Sequence, residues 1–298
     1  MMLVQFMVAP RLLASENVPY RPYAYWANLP EPQQFVAGLV YEESEAYHIW
    51  ADGDYHNIKV TAGGEYYGID INQGFLALQY GIAERWAADL EVGGTSLGWR
   101  SFDTNHTVQS TVGLMDWTLG FRYQLLKEIE TNWTPTLTFR VALVMPGTYN
   151  QHIAFAPGLR SVALEPELLA RKHFGWRGFG SYFDGAFRWN KTTLNNQYLI
   201  SVGFFQQIKR WELDVGYRHL QTLTGGDIIY YPDGTINYPR DTRENNDAIE
   251  AGFSYTTSKR QIRYGFQSRT VVDGNNTDAK FWVGGSIDIP FGGKHETP

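Results

Sequence analysis

Residues 211–218 read Trp211-Glu212-Leu213-Asp214-Val215-Gly216-Tyr217-Arg218. Trp211, Leu213, Val215 and Tyr217 have one parity; Glu212, Asp214, Gly216 and Arg218 have the other. A β-strand sends successive side chains to opposite faces, so this stretch has an apolar face and a charged or small face. The same rhythm returns around it at 117–123 (Trp-Thr-Leu-Gly-Phe-Arg-Tyr), 137–141 (Leu-Thr-Phe-Arg-Val), 183–189 and 262–267. Repeated along most of a chain, it predicts an all-β protein. The expected form is a closed transmembrane antiparallel β-barrel with a lipid-facing outside and a polar inside.

Twelve such segments fall near 35–47, 65–80, 86–98, 111–126, 133–146, 160–173, 179–190, 196–208, 211–224, 247–257, 260–272 and 278–291. A bilayer-crossing strand needs about 9–11 residues, and every segment is long enough. The second is the least regular, because its alternation slips between Ile71 and Leu76, which predicts a bulge near Gly74. The connections alternate in length. Short turns at Ile82–Arg85, Lys127–Asn132, Phe174–Gly178, Lys209–Arg210 and Ser258–Lys259 are interleaved with longer polar stretches such as Ala51–Gly64, Gly147–Leu159 and Gly225–Asn246. Only Asp273–Thr277 is a short connection on the long-loop side. Short periplasmic turns and longer extracellular loops are the asymmetry of outer-membrane barrels. An even strand number then places both termini in the periplasm of a bacterial outer membrane.

The chain divides into a signal-like or disordered segment at 1–33, a barrel at 34–291 and a tail at 292–298. Met1–Ser15 is apolar and reaches Leu13-Ala-Ser, like the end of a secretory signal, though it lacks a basic start. No linker splits the rest. The mean hydropathy of −0.34 is compatible with a membrane barrel, whose inner face cancels its outer one. Absence of cysteine excludes disulfides and thiolate chemistry, and a net charge of −6 offers no footprint for nucleic acid. The expected partners are outer-membrane lipids and a small-molecule solute; oligomeric state is not legible.

Trp86, Trp133, Trp176 and Trp211 lie at or beside the short turns, where indole rings suit the headgroup level of a membrane. A soluble β-sandwich or lipocalin-like barrel would turn the same alternation inside out, with charges in water. Glycines argue against that sense. Gly93, Gly120, Gly203, Gly216, Gly252, Gly265 and Gly284 recur on the charged face. On a solvated face they weaken the sheet, whereas in a crowded lumen they make room for long side chains. Gly185 is an exception, falling on the apolar face.

Three pieces carry a family resemblance: Leu76-Ala-Leu-Gln-Tyr-Gly-Ile-Ala-Glu-Arg-Trp86, Leu114-Met-Asp-Trp-Thr-Leu-Gly-Phe-Arg-Tyr-Gln-Leu-Leu126, and Thr136-Leu-Thr-Phe-Arg-Val-Ala-Leu-Val-Met-Pro-Gly-Thr148. Together they resemble outer-membrane transporters of the FadL-like and phenol-degradation meta-pathway type. The resemblance implies passive transport of small molecules, hydrophobic or aromatic ones included. FadL-like proteins have fourteen strands and an N-terminal plug with an Asn-Pro-Ala-type motif. Here the count is twelve, and Asn28-Leu-Pro-Glu-Pro32 is a faint echo of that motif. Many outer-membrane proteins end on an aromatic residue; here Phe291 is followed by seven more residues.

With the apolar face outside, strand register turns Arg122, Arg140, Glu165, Glu167, Arg171, Asp184, Arg188, Asp214, Arg218 and Arg263 inward as pore-lining or binding groups. Asp89, Glu91, Asp116, Glu212, Glu250, Arg269, Lys280 and Asp288 join them. Mixed charge in such a space reads either as a salt-bridge filling or as the lining of a selective pore. Twelve strands enclose more room than eight, whose side chains can fill the interior.

An outer-membrane lipase- or deacylase-like enzyme is one alternative, and a closed structural barrel with partner-binding loops is another. Acyl hydrolysis needs a serine with a base in hydrogen-bond reach and an orienting partner. None of the seven histidines is followed by serine two residues on, and His219 falls on the lipid-facing parity. No catalytic residue, cofactor or metal ligand is therefore assigned. Asp52-Gly-Asp54 and Asp273–Asp278 are turn chemistry, lacking the full calcium-loop spacing.

Overall fold

The alternating segments become twelve strands in the computed structural model, which describes residues 26–51, 53–57, 60–62, 65–100, 108–129, 132–150, 158–175, 178–191, 196–227, 229–230, 236–237 and 243–293. They are β1 (Gln34–Ala46), β2 (Ile69–Ala83), β3 (Trp86–Arg100), β4 (Val108–Leu114 and Trp117–Leu126), β5 (Thr136–Met145) and β6 (Ala163–His173). Then follow β7 (Phe179–Asn190), β8 (Gln197–Ile208), β9 (Trp211–Thr222), β10 (Asn245–Thr256), β11 (Arg263–Asn275) and β12 (Phe281–Gly292). Each pairs antiparallel with its neighbours in the chain, and β1 also pairs with β12, Gln34 facing Gly292. The sheet thus closes on itself. Closure satisfies every strand edge without water, which hydrocarbon does not supply.

The apolar parity points outward. Leu213 and Val215 are about half exposed, while Arg122 and Arg140 on the other parity are wholly buried. The predicted sense of the barrel is therefore the observed one. Phe204, Phe253 and Phe266 join the exposed belt. At the short-turn rim Trp86 packs tilted against Tyr123 (4.6 Å) and Trp211 against Tyr255 (4.8 Å), while Phe35 stacks on Phe291 (5.8 Å). Trp133 is exposed at the same rim; Trp176 lies outside the described residues.

Two local expectations are corrected. β2 has no bulge at Gly74: Ile71, Gln73 and Phe75 are buried and Asn72, Gly74 and Leu76 exposed, with register unbroken against β1. The apparent slip arose because inward Ile71 and Phe75 are apolar and outward Asn72 is polar. The irregularity sits instead between Gly81 and Ala83, where β2 turns into β3. β4 is broken at Met115–Asp116, and among the described residues the piece beyond the break pairs as a strand only with β3. The chain after β5 continues the wall there: Thr148 N donates to Leu114 O (2.9 Å), and Leu114 N donates to Thr148 Oγ1 (2.9 Å).

At the long-loop end, His48–Ala51, Asp54–Asn57 and Thr277–Asp278 form a small sheet, and Ile229–Tyr230 pairs with Ile236–Asn237. The turn at 273–278 is tied down by Asn275 and Asn276, whose side-chain amides donate to Asp227 Oδ1 at 3.0 and 2.9 Å. Met1–Ser15, Asp52, Tyr238-Pro-Arg240, His106, His152 and His295 lie outside the described residues.

Candidate functional site

The strands project a dense belt of charge into the barrel. On β3, β4 and β5, Asp89 meets two guanidinium groups: Arg122 Nε at 3.1 Å and Arg140 Nη2 at 2.7 Å. Arg140 extends the chain of contacts to β6, reaching Glu167 Oε2 at 2.8 Å and Glu165 Oε1 at 3.6 Å. Arg188 on β7 closes it on Glu165 Oε2 (2.7 Å). Thr118 donates to Glu91 (3.2 Å), and Arg122 Nη2 donates to Gln79 (2.8 Å). One ion-paired network thus crosses five strands. Gly120 makes it possible, since a Cβ there would lie 2.5 Å from Asp89 Oδ2 and 2.7 Å from Arg140 Nε.

The opposite wall carries a second, looser group. Glu250 lies 3.5 Å from Arg218 Nη1 and 3.7 Å from Arg269 Nη1, and Arg269 stands over the Trp282 ring at 5.4 Å. Asp184 is fully buried, opposite Ser201 in the β7–β8 pairing, and Asp214 is half-buried. Tyr182 lies along the inner wall over its cross-strand neighbours Gly203 and Gly216, where a Cβ would lie 2.5 and 2.1 Å from its hydroxyl.

A third level lies at the short-turn end. Arg171 Nη2 is 2.7 Å from Glu212 Oε2, and Arg263 Nη2 is 3.4 Å from Glu212 Oε1. Arg263 Nε also donates to Ser254 (2.9 Å), and the Arg171 guanidinium stacks 3.9 Å above the Phe205 ring. Arg171, Glu212, Ser254 and Arg263 bound a cavity of 360 Å³, which Asn28, His173, Lys209 and Arg210 also line. Just outside, Glu128 in the turn after β4 accepts from His173 N (2.7 Å) and meets His173 Nδ1 (2.9 Å) and Lys172 Nζ (3.2 Å). Burial alone raises the Glu128 carboxyl, but the hydrogen bonds from His173 and Lys172 outweigh it and hold the group below its usual range.

All ten residues assigned inward from sequence face inward. Arg122, Arg140, Glu165, Glu167 and Arg188 belong to one network; Arg171 and Arg263 meet at Glu212; Arg218 belongs to the looser group. Asp184 and Asp214 are inward on β7 and β9. What the register did not reveal is an occupant. Trp26 and Ala27, from the segment expected to be signal-like or disordered, are buried in a cluster with Leu169, Tyr182 and Phe205. Arg122 Nη1 donates to Trp26 O (3.2 Å), Thr138 Oγ1 donates to Ala27 O (2.6 Å), and Arg122 stands over the Trp26 ring at 5.1 Å. The available signal was Trp26 itself, a large aromatic in a stretch without alternation, followed by the Asn28-Leu-Pro echo.

His219 lies on the outer surface and meets Asp247 Oδ1 at 2.6 Å and Tyr198 Oη at 3.5 Å. A His–Asp pair orients a base, but the group it faces here is a tyrosine, not the serine that acyl hydrolysis uses.

No protein-family model and no curated protein matches the sequence. Among solved structures, the chain is similar to the COG4313 outer membrane channel from Pseudomonas putida F1, with a TM-score of 0.68 and 16% identity over 92% of this chain and 100% of that one. It also aligns with the translocator domain of the autotransporter NalP from Neisseria meningitidis (TM-score 0.47, 10% identity, 90% of this chain and 91% of that one). The P. putida toluene transporter TodX aligns at a TM-score of 0.39 and 10% identity, over 90% of each chain. The last two superpositions fall below the level at which a shared fold follows. The first does not: this chain is a closed, twelve-stranded antiparallel β-barrel with the fold of that outer membrane channel.

Proposed function

We propose that this barrel lies in a bacterial outer membrane, with both termini periplasmic, and passes small molecules passively. Hydrophobic or aromatic solutes are the class implied by the FadL-like resemblance, and the similar P. putida barrel is itself described as a channel. Arg122, Arg140, Glu165, Glu167, Arg171, Asp184, Arg188, Asp214, Arg218 and Arg263 are the groups along the route. The observation that carries the reading is the Trp26–Asn28 segment. It occupies the interior beside a cavity without belonging to the wall, held by two backbone carbonyl contacts and an apolar cluster.

Wall strands cannot move without breaking a closed ladder, whereas a segment inside the lumen can. The Asp89–Arg140 pair is fully buried, so passage requires that some filling element shift. Single-channel recording in a planar bilayer tests this. Discrete conductance steps are expected, larger in a variant lacking residues 1–33. Silence from folded protein in both forms would leave the closed structural barrel as the better reading.

A further inference from the structure

The cavity at the short-turn end differs from the rest of the interior in its charge balance. Four cationic side chains line it (Arg171, Lys209, Arg210 and Arg263) against a single carboxylate, Glu212. Asp288 sits beside Arg263 as its cross-strand partner and adds a carboxylate next to the lining without belonging to it, so the cations still outnumber the acids. Glu212 already serves both guanidinium groups, one oxygen to each. Lys209 and Arg210 form no ion pair among the described residues and stand exposed on the turn between β8 and β9. His173 at the edge is engaged by Glu128.

We infer that this vestibule is a binding site for a small organic anion bearing one carboxylate. The recognition chemistry is present in the lining. Arg171 and Arg263, held in place by Glu212, form the inner cationic wall, and the fixed fork of a guanidinium suits a carboxylate. Stacking on Phe205 fixes the plane of Arg171, which lowers the entropy lost when its edge is used. Ser254, Thr256 and Thr257 supply hydroxyls, and Gln207 and Gln261 supply amides, to complete the shell. The volume of 360 Å³ lies at the lower end of ligand pockets and suits a single-ring or short-chain acid. Lys209 and Arg210, at the open edge, attract the anion before the buried pair receives it.

This assignment names a substrate class for the proposed channel and so rests on that reading for its biological sense, but binding is measurable without flux. Isothermal titration of the full chain in a neutral detergent, with benzoate as probe and benzyl alcohol as its uncharged counterpart, tests it. Saturable benzoate binding is expected, at least tenfold tighter than for the alcohol, and weakened about tenfold in the Lys209→Gln/Arg210→Gln variant. Those positions lie on an exposed turn, so the variant folds, and Arg263→Gln gives an independent second reduction. Equal binding of acid and alcohol, or benzoate binding unchanged in both variants, overturns the site. Conductance with no benzoate binding sinks only the vestibule, whereas binding without conductance sinks only the channel.

Discussion

The middle of the barrel and its short-turn vestibule are built from the same residue types and hold them in opposite ways. In the middle, Asp89, Arg122, Arg140 and Glu167 are all fully buried, and every charge meets its opposite at ion-pair distance. At the vestibule, two arginines share Glu212, and two further cations, exposed on the turn, line an open cavity. Pairing turns charge into filling, because an ion removed from water is tolerable only when its partners replace that water. Leaving cations in surplus beside a solvated space keeps them available to a ligand. Composition alone does not separate the two uses; neighbours and water do.

The sharpest way to break the contrast is to remove Arg140. Arg140→Met leaves buried Asp89 with Arg122 alone and takes from Glu167 its Arg140 partner, and the expected cost is about 3–5 kcal/mol. Urea unfolding in lipid vesicles, followed by tryptophan fluorescence, reads it. Lys209→Gln at the vestibule is expected to change the same midpoint by less than about 0.5 kcal/mol. Similar losses at both sites would dissolve the distinction. Gly120→Ala probes the belt differently, driving a methyl group against Asp89 and Arg140. Overpacking of this kind costs about 1–3 kcal/mol, and the same unfolding assay shows it as a lowered midpoint at unchanged slope.

The smallest effect concerns the rim. Because the folded Glu128 carboxyl is held below its usual 4.5, its contribution is present at neutral pH and fades as pH falls through the folded value. Glu128→Gln is expected to cost under about 1 kcal/mol at pH 7, since its partners are partly in water. The difference from wild type should vanish once the pH lies below the folded value of that carboxyl. A gap that persists into acid would mean that packing, not charge, holds this turn.

Much of the wall was legible because a strand has a period of two and a bilayer demands that one parity be apolar. The Trp211–Arg218 stretch gave the sense of every inward and outward side chain on β9, and strand-by-strand register did the same for Arg140, Glu165 and Arg188. Alternation failed where it had to. At Asn72–Phe75 side chains toward the long-loop end no longer obey the lipid's demand, and the regular strand looked bulged.

From the sequence alone followed the architecture: twelve strands, the direction of their faces, the tryptophan rim, and a charged interior. These are local consequences of parity, strand length and turn spacing. Only the tertiary structure decided which charges meet, that Arg122 and Arg140 converge on Asp89 while Arg171 and Arg263 share Glu212. It alone placed Trp26 inside the barrel. Pairing across strands depends on tilt and stagger around the closed sheet, and the packing of Trp26 depends on contacts more than a hundred residues away. Neither distance is written in a two-residue rhythm.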